Sequence, residues 1–141
     1  MKKYVNLSLA CAILGLLCGV FYREFTKIFA FTAKTMLSVV HSHLLLLGSV
    51  AFLLVGMLAV KYPLESEKAF RVARILYPAG LALTVLLMLL RGIFQVADVA
   101  LSRGLNASVS AIAGIGHILL GVGILFFFVA LKKAVREEGG K

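Results

Sequence analysis

Four stretches of the chain consist almost entirely of apolar residues, and short polar links separate them. The stretches cover residues 4–22, 37–60, 75–96 and 109–131. Each is close to the roughly 20 residues that an α-helix needs to cross a bilayer. In lipid, backbone polar groups are satisfied only within helices or closed barrels. The pattern therefore predicts an all-α membrane protein, a single domain (1–141) built as a bundle of four transmembrane helices.

The composition agrees with this pattern. Hydrophobic residues make up 62% of the 141 residues, whereas a soluble domain is nearer half apolar. The polar links around residues 61–68 and 98–106 are short, so we expect neighbouring helices to run antiparallel. An excess of fifteen Lys and Arg over six Asp and Glu would suggest a nucleic-acid partner in a soluble protein. Here the basic residues lie between apolar runs, so we expect the lipid bilayer as the partner and no nucleic acid.

The basic residues are distributed unequally between the two sides of the predicted membrane domain. The side with both termini has ten Lys or Arg, and the other side has five. Because Lys and Arg are enriched on the cytoplasmic side of membrane proteins, the counts predict that both termini are cytoplasmic. The ten are Lys2, Lys3, Lys61, Lys68, Arg71, Arg74, Lys132, Lys133, Arg136 and Lys141, and the five are Arg23, Lys27, Lys34, Arg91 and Arg103.

All three histidines fall inside the apolar runs, where polar side chains are costly and tend to serve a function. At about 1.5 Å of rise per residue, His41 and His43 lie roughly 6 and 9 Å below the start of the second helix. His117 lies roughly 12 Å below the outer end of the fourth helix. The three histidines are therefore expected at similar depth, in the outer half of the membrane.

The spacing of His41 and His43 limits what they can bind together. Residues two apart on a helix point about 200° away from each other. These histidines therefore suit two sites on opposite sides of the helix, or one site and one interface. The four-residue spacing of helical zinc motifs is absent, and we expect no carboxylate or cysteine at the same depth. A compact metal-ion site built from this pair is not expected.

The fourth helix has small residues on the same face as its histidine. Ser110, Gly114, His117 and Gly121 follow helical spacing. Small residues let helices approach closely, and they also leave a flat slot beside an imidazole, which is what a porphyrin needs. Both interpretations of Gly114 and Gly121 stay open from the sequence.

Arginines border the outer side of the predicted bundle. Arg91 lies just below the end of the third helix, Arg23 closes the first helix, and Arg103 lies in the outer link. Arginine binds carboxylates through paired hydrogen bonds, so a haem in the outer half would present its propionates to this rim. Two other roles for these arginines stay open. They could be interfacial charges whose aliphatic side-chain carbons lie along the membrane surface, or Arg91 could be held by Gln95 and Asp98.

Three segments resemble a family of small bacterial four-helix membrane proteins of unknown function. They are residues 21–27 (FYREFTK), 37–44 (LSVVHSHL) and 116–123 (GHILLGVG). The resemblance covers nearly the whole chain. It implies the architecture and a place in the bacterial cytoplasmic membrane, and it assigns no activity.

The segment His41-Ser42-His43 is also similar to the H-x-H of the catalytic subunit of haem-copper oxidases. There the two histidines point to opposite sides of one helix and bind two haems, and the subunit consists of three similar arcs of four helices. The resemblance implies haem binding and favours a homotrimer of this chain. Nothing in the chain resembles the copper ligands of those enzymes, which argues against oxygen reduction.

We therefore expect a membrane protein that binds haem b through histidines and acts in electron transfer or in redox or gas sensing. The alternatives are a structural or accessory membrane subunit, and a transporter of metal ions or small solutes. No complete catalytic constellation is present, so any enzymatic activity is expected to be haem-dependent redox chemistry. The predicted iron ligands are His41, His43 and His117, and the other predicted cofactor-binding residues are Arg91, Arg23, Gly114 and Gly121.

Overall fold

The computed structural model describes residues 1–139, and over this range the chain is helical apart from short links. Helix α1 spans Lys2–Ile28, α2 spans Leu37–Lys61, α3 spans Lys68–Val96 and α4 spans Arg103–Gly139. In this part of the chain, all four helices are long and apolar enough to cross a membrane. The structure therefore confirms the predicted all-α class with four candidate transmembrane helices.

The helices extend beyond the apolar runs from which they were predicted. Helix α1 continues to Ile28, α3 begins at Lys68, and α4 includes the polar flanks of its run. Apolar runs mark what can contact lipid, whereas helical hydrogen bonds continue past the membrane surface, because Lys, Arg and Glu are good helix formers. Because α3 begins at Lys68, Pro78 lies in the interior of this helix. Its missing N–H leaves one helical hydrogen bond unmade.

Helix α2 is not a regular α-helix along its whole length. An α-helical turn at Leu37–His43 is followed by a π-helical segment, Leu44–Val50, and α-helix resumes at Ala51–Lys61. The Tyr77 hydroxyl of α3 donates a hydrogen bond of 2.6 Å to the Leu47 carbonyl inside the π-helical segment. Nothing in the apolar sequence of this segment predicted the irregularity, which begins directly after His43.

The main helix contacts follow the order of the chain: α1 packs on α2, α2 on α3, and α3 on α4. The α3–α4 pair is the most extensive, because glycines remove the side chains that would separate the two backbones. A Cβ at Gly80 would overlap the Leu120 backbone nitrogen, and a Cβ at Gly116 would lie 2.8 Å from Thr84 Oγ1. Helix α3 thereby contacts both α2 and α4.

Salt bridges join the helices at the end of the molecule with both termini, here called the basic end. The Glu65 carboxylate, in the α2–α3 link, accepts hydrogen bonds from the Tyr4 hydroxyl at 2.6 Å and from Arg74 Nη1 at 3.0 Å, and Lys3 Nζ lies 2.6 Å from it. Lys133 Nζ of α4 lies 2.9 Å from the buried Glu67 carboxylate. Lys141, counted above on this side, lies outside the described residues.

The same contacts determine the ionisation of Glu65. Burial alone would raise the pKa of this carboxyl group, but hydrogen bonds from Lys3 and Tyr4 and the charges of Lys3 and Arg74 outweigh burial and lower the pKa below its usual 4.5. Glu65 is therefore a carboxylate at neutral pH, as its salt bridges require. The α2–α3 link, which the sequence marked only as a polar turn, ties α1 and α3 together.

Polar contacts between α2 and α3 also occur at the opposite end, here called the histidine end. The buried Thr35 hydroxyl lies 3.2 Å from both the Gly92 carbonyl oxygen and Gln95 Oε1. Gln95 Oε1 also accepts a hydrogen bond from the Met36 backbone N–H at 2.8 Å. Because Leu37 N–H approaches Thr35 Oγ1 at 3.3 Å, the hydroxyl satisfies one of the unpaired donors at the start of α2.

Candidate functional site

The structure brings together one histidine from α2 and one from α4. The ring centres of His43 and His117 lie 6.5 Å apart, and the ring planes are nearly perpendicular, at 83°. His43 is half-buried and His117 is exposed. Both helices pack on α3. Their arrangement around α3 brings the two histidines together.

Each of the two imidazoles is oriented by the helix on which it lies. His43 Nδ1 is 2.9 Å from the Val39 carbonyl oxygen, and His117 Nδ1 is 2.9 Å from the Ala113 carbonyl oxygen. A carbonyl can only accept, so this geometry assigns the ring proton to Nδ1 in both residues. Nε2 is then left with a lone pair on each ring. Metal-binding histidines typically have this arrangement, with the second nitrogen donating to a carbonyl.

His41 lies on the other side of α2, against α1. The nearest atoms to a Cβ built on Gly19 are Cβ and Cγ of His41, both at 3.8 Å. Its Nδ1 is buried and has no hydrogen-bond partner among the residues described. His41 is thus half-buried, with α1 of the same chain beside it. The trimer thus stays a prediction that rests on the oxidase resemblance.

The glycines that flank His117 are open, and different glycines of α4 make the helix contact. Within residues 1–139, a Cβ built on Gly114 or Gly121 would meet no atom within 4 Å. Gly116 and Gly123 instead pack against Thr84 and Tyr77 of α3. Gly114 and Gly121 therefore pack against no other helix of this chain, and they leave open space one turn to either side of His117.

Arg91 is linked to the face that contains His117. Its Nη1 donates a hydrogen bond of 3.0 Å to Ser110 Oγ, and the Ser110 hydroxyl donates to the Asn106 carbonyl oxygen at 2.9 Å. Ser110 lies seven residues before His117 on the same helix face, a distance of about 10 Å. The structure thus connects Arg91 with the α4 face through Ser110, a partner that the sequence did not single out for this arginine.

The other arginines of the predicted rim do not join the histidine pair. The Arg23 side chain is 82% exposed and lies 3.8 Å from Glu24 on the same helix, on the α1 side of the molecule. Arg103 is exposed at the start of α4. Arg23 is therefore removed from the candidate site by the packing order, since α1 contacts α2 on its His41 side.

One partly buried and one fully buried side chain near the site were not identified from the sequence as part of it. Cys18 packs against Val40, Leu44 and Met88, so a cysteine does lie at the depth of the helix-two histidines, contrary to the prediction. Thr84 is completely buried, and its hydroxyl has no hydrogen-bond partner in the described part of the chain. The available signal for Thr84 was its hydroxyl in the middle of an apolar run.

The described residues do not provide the ligand set of a simple metal-ion site. Between residues 1 and 139, no group of three or more His, Cys, Asp or Glu side chains could hold a metal ion. Structural zinc sites use four protein ligands, and catalytic ones use three. The His43–His117 pair therefore offers fewer protein ligands than either kind of zinc site needs.

The fold and this pair define the class of the protein: an all-α chain with four candidate membrane-spanning helices, in which a histidine ring of α2 lies near a histidine ring of α4. The chain belongs to the family described as "Protein of unknown function (DUF2871)", whose model matches residues 1–134. This match confirms the resemblance to an uncharacterised family. No curated protein and no solved structure matches the chain, so the likeness to haem-copper oxidases has no support beyond its H-x-H segment.

Proposed function

We propose that this protein is a membrane haem protein in which His43 and His117 of one chain are the axial ligands of haem b. The observation that supports this proposal is the separation of the two ring centres, 6.5 Å. With metal–nitrogen bonds of about 2 Å, two imidazoles on opposite sides of one metal ion have ring centres roughly 6 Å apart. The lone pairs of both Nε2 atoms are left available by the hydrogen bonds of Nδ1 to Val39 and Ala113.

The number of ligands favours haem over a free metal ion. A porphyrin supplies the four nitrogens in its plane, so a protein needs to add only axial ligands. The described residues offer two histidines and no third ligand beside them. This ligand count supports haem and weighs against the metal-ion transport alternative.

The shape of the α4 surface fits a flat ligand beside His117. Gly114 lies three residues before His117 and Gly121 four residues after it, so each is about one helical turn away. The space that their side chains would fill is free of atoms of the described chain. A planar macrocycle bound at His117 would lie along this surface, which any larger side chain at these two positions would obstruct.

Two histidine ligands also favour a particular role. When both axial positions are filled by imidazole, no position is left for a diatomic gas. The pair therefore supports electron transfer or redox sensing rather than gas binding. Haem would supply the one-electron chemistry, and the protein would hold the ligands at the required distance and orientation.

A visible spectrum of the detergent-purified protein tests the proposal. We expect a Soret band, with sharp α and β bands after reduction, because both axial ligands are histidine. Purification from haem-replete cells, followed by addition of hemin to any colourless fraction, provides the measurement. A protein that remains colourless after both steps would disprove haem binding and favour the accessory-subunit alternative.

We also propose that both termini lie in the cytoplasm, so that the histidine end faces outwards. The support is the unequal distribution of basic residues, ten against five, together with the positive-inside rule. A reporter that works only in the cytoplasm should be active when it is fused after Lys141. Activity of a reporter that requires the periplasm would instead reverse the orientation and move the histidine pair to the inner half of the membrane.

A further inference from the structure

A polar cavity of about 260 Å³ opens at the histidine end of the α3–α4 pair. It lies between the end of α3, the link that follows it, and the start of α4. Its polar lining consists of Arg91, Gln95, Asp98 and Asn106. The cavity combines a fixed cation with amide groups, and its composition therefore points to a ligand that accepts hydrogen bonds.

The hydrogen-bond donors of this cavity are already oriented by their other contacts. Ser110 accepts from only one nitrogen of Arg91, while a guanidinium has five N–H donors in a planar fork. Gln95 Oε1 is occupied by the Met36 backbone N–H and the Thr35 hydroxyl. The Gln95 amide nitrogen is therefore the part of that side chain that can donate to a ligand. A guanidinium and an amide N–H together suit a carboxylate.

Asp98 is the one acidic side chain in the cavity lining. Within residues 1–139, no salt bridge joins the Asp98 carboxylate to Arg91. Arg91 is therefore not neutralised by a bonded partner, although the nearby charge of Asp98 opposes an incoming anion. Removal of this charge should strengthen the binding of a carboxylate at the cavity.

The cavity is connected to the histidine pair along a single helix face. Ser110, which Arg91 contacts, lies two turns from His117, about 10 Å, and the open position of Gly114 lies between them. We propose that this cavity binds the propionate carboxylates of the haem, so that the haem is held with its propionates directed towards the histidine end. This inference rests on the haem site proposed above and adds the group that determines how the haem is oriented.

Titration of the colourless, detergent-purified full-length chain with hemin and with hemin dimethyl ester tests the inference. The ester has the same iron and ring but lacks the propionate charges. A hydrogen-bonded interaction with a charged group contributes about 1.5–3 kcal/mol, so we expect hemin to bind roughly 10- to 100-fold more tightly than its ester. Equal affinities of the wild-type chain for the two pigments would overturn the propionate assignment.

Variants locate the interaction within the cavity. Arg91→Leu should lower the affinity for hemin by about 10-fold or more while leaving the affinity for the ester unchanged. Asp98→Asn should raise the affinity for hemin only. Lys27→Leu, which removes an exposed positive charge at the same end of the molecule but outside the cavity, is the matched control and should change neither. If Arg91→Leu weakens both pigments equally, Arg91 has no contact with the propionates.

Two further measurements separate the possible failures. If neither hemin nor its ester gives the Soret band of a bound haem, the haem site itself is disproved. If both give this band with equal affinities, only the binding of propionates by the cavity is disproved. Calorimetry of the colourless protein with butyrate distinguishes the source of the carboxylate. Butyrate binding that requires Arg91 and does not compete with hemin would identify a free carboxylate as the occupant and overturn the assignment to haem.

Discussion

Replacement of His43 or His117 by Ala should remove the Soret band from the purified protein, whereas replacement of His41 should leave it in place. In the structure the ring centres of His43 and His117 lie 6.5 Å apart, and His41 lies against Gly19 on the other side of α2. Loss of even a group that only orients a metal ligand costs about 10- to 100-fold in affinity. Loss of a ligand should therefore lower haem affinity by more than about 100-fold.

The three histidine variants form a matched set, since each replaces one imidazole in the membrane-spanning part of the chain. Haem content per protein, measured by pyridine haemochrome, gives the result, and circular dichroism with gel filtration shows that each variant is folded. The same three variants can also contradict the proposed pair. Loss of haem in His41→Ala with retention in His43→Ala would move the site to the α1 side of α2 and contradict the proposed pair.

Replacement of Gly121 or Gly114 by Leu should block haem binding without disturbing the fold. A side chain at either position meets no atom of the described chain within 4 Å, so no packing is lost in the colourless protein. It would instead occupy the surface one turn from His117 that a porphyrin needs. We expect haem content below about one-tenth of the wild-type value, a change equivalent to 1.4 kcal/mol or more.

Other positions on α4 provide controls for added bulk. Ser108→Leu places the same side chain on the exposed face of α4 opposite His117, nine residues away, and should leave haem content unchanged. Gly116→Leu should destabilise the protein itself, because a Cβ there would lie 2.8 Å from Thr84 Oγ1 and overpacking costs about 1–3 kcal/mol. If Gly121→Leu and Gly114→Leu both bind haem normally, the haem does not contact the α4 surface beside His117.

The predicted helices show which part of the fold was accessible from the chain alone. Four apolar runs identified four helices, because lipid leaves the backbone no alternative to internal hydrogen bonds. The ends were less accurate: α1 reaches Ile28 and α3 begins at Lys68. Helix formation depends on backbone hydrogen bonds and propensity, both of which continue past the membrane surface, whereas hydropathy reports only the lipid-facing part.

The candidate site shows the same division. Helical periodicity placed His41 and His43 on opposite sides of α2, and it placed Gly114, His117 and Gly121 on one face of α4. Periodicity could not show that His43 lies near His117 while His41 lies near Gly19, because these contacts depend on which helix packs on each side of α2. The role of Glu65 in joining Lys3, Tyr4 and Arg74 was likewise hidden, since these groups are distant in sequence.

The sequence by itself determined the all-α class, the number of helices, the unequal distribution of charge and the helical spacing of the histidines. Each of these follows from local composition or from the fixed rise and period of a helix. Tertiary structure alone decided that α3 contacts both α2 and α4, that Gly116 and Gly123 make the helix contact, and that Gly114 and Gly121 remain open. Packing decides such features because lipid does not distinguish between helices of similar hydropathy. Such helices differ only in the shapes that they present to one another.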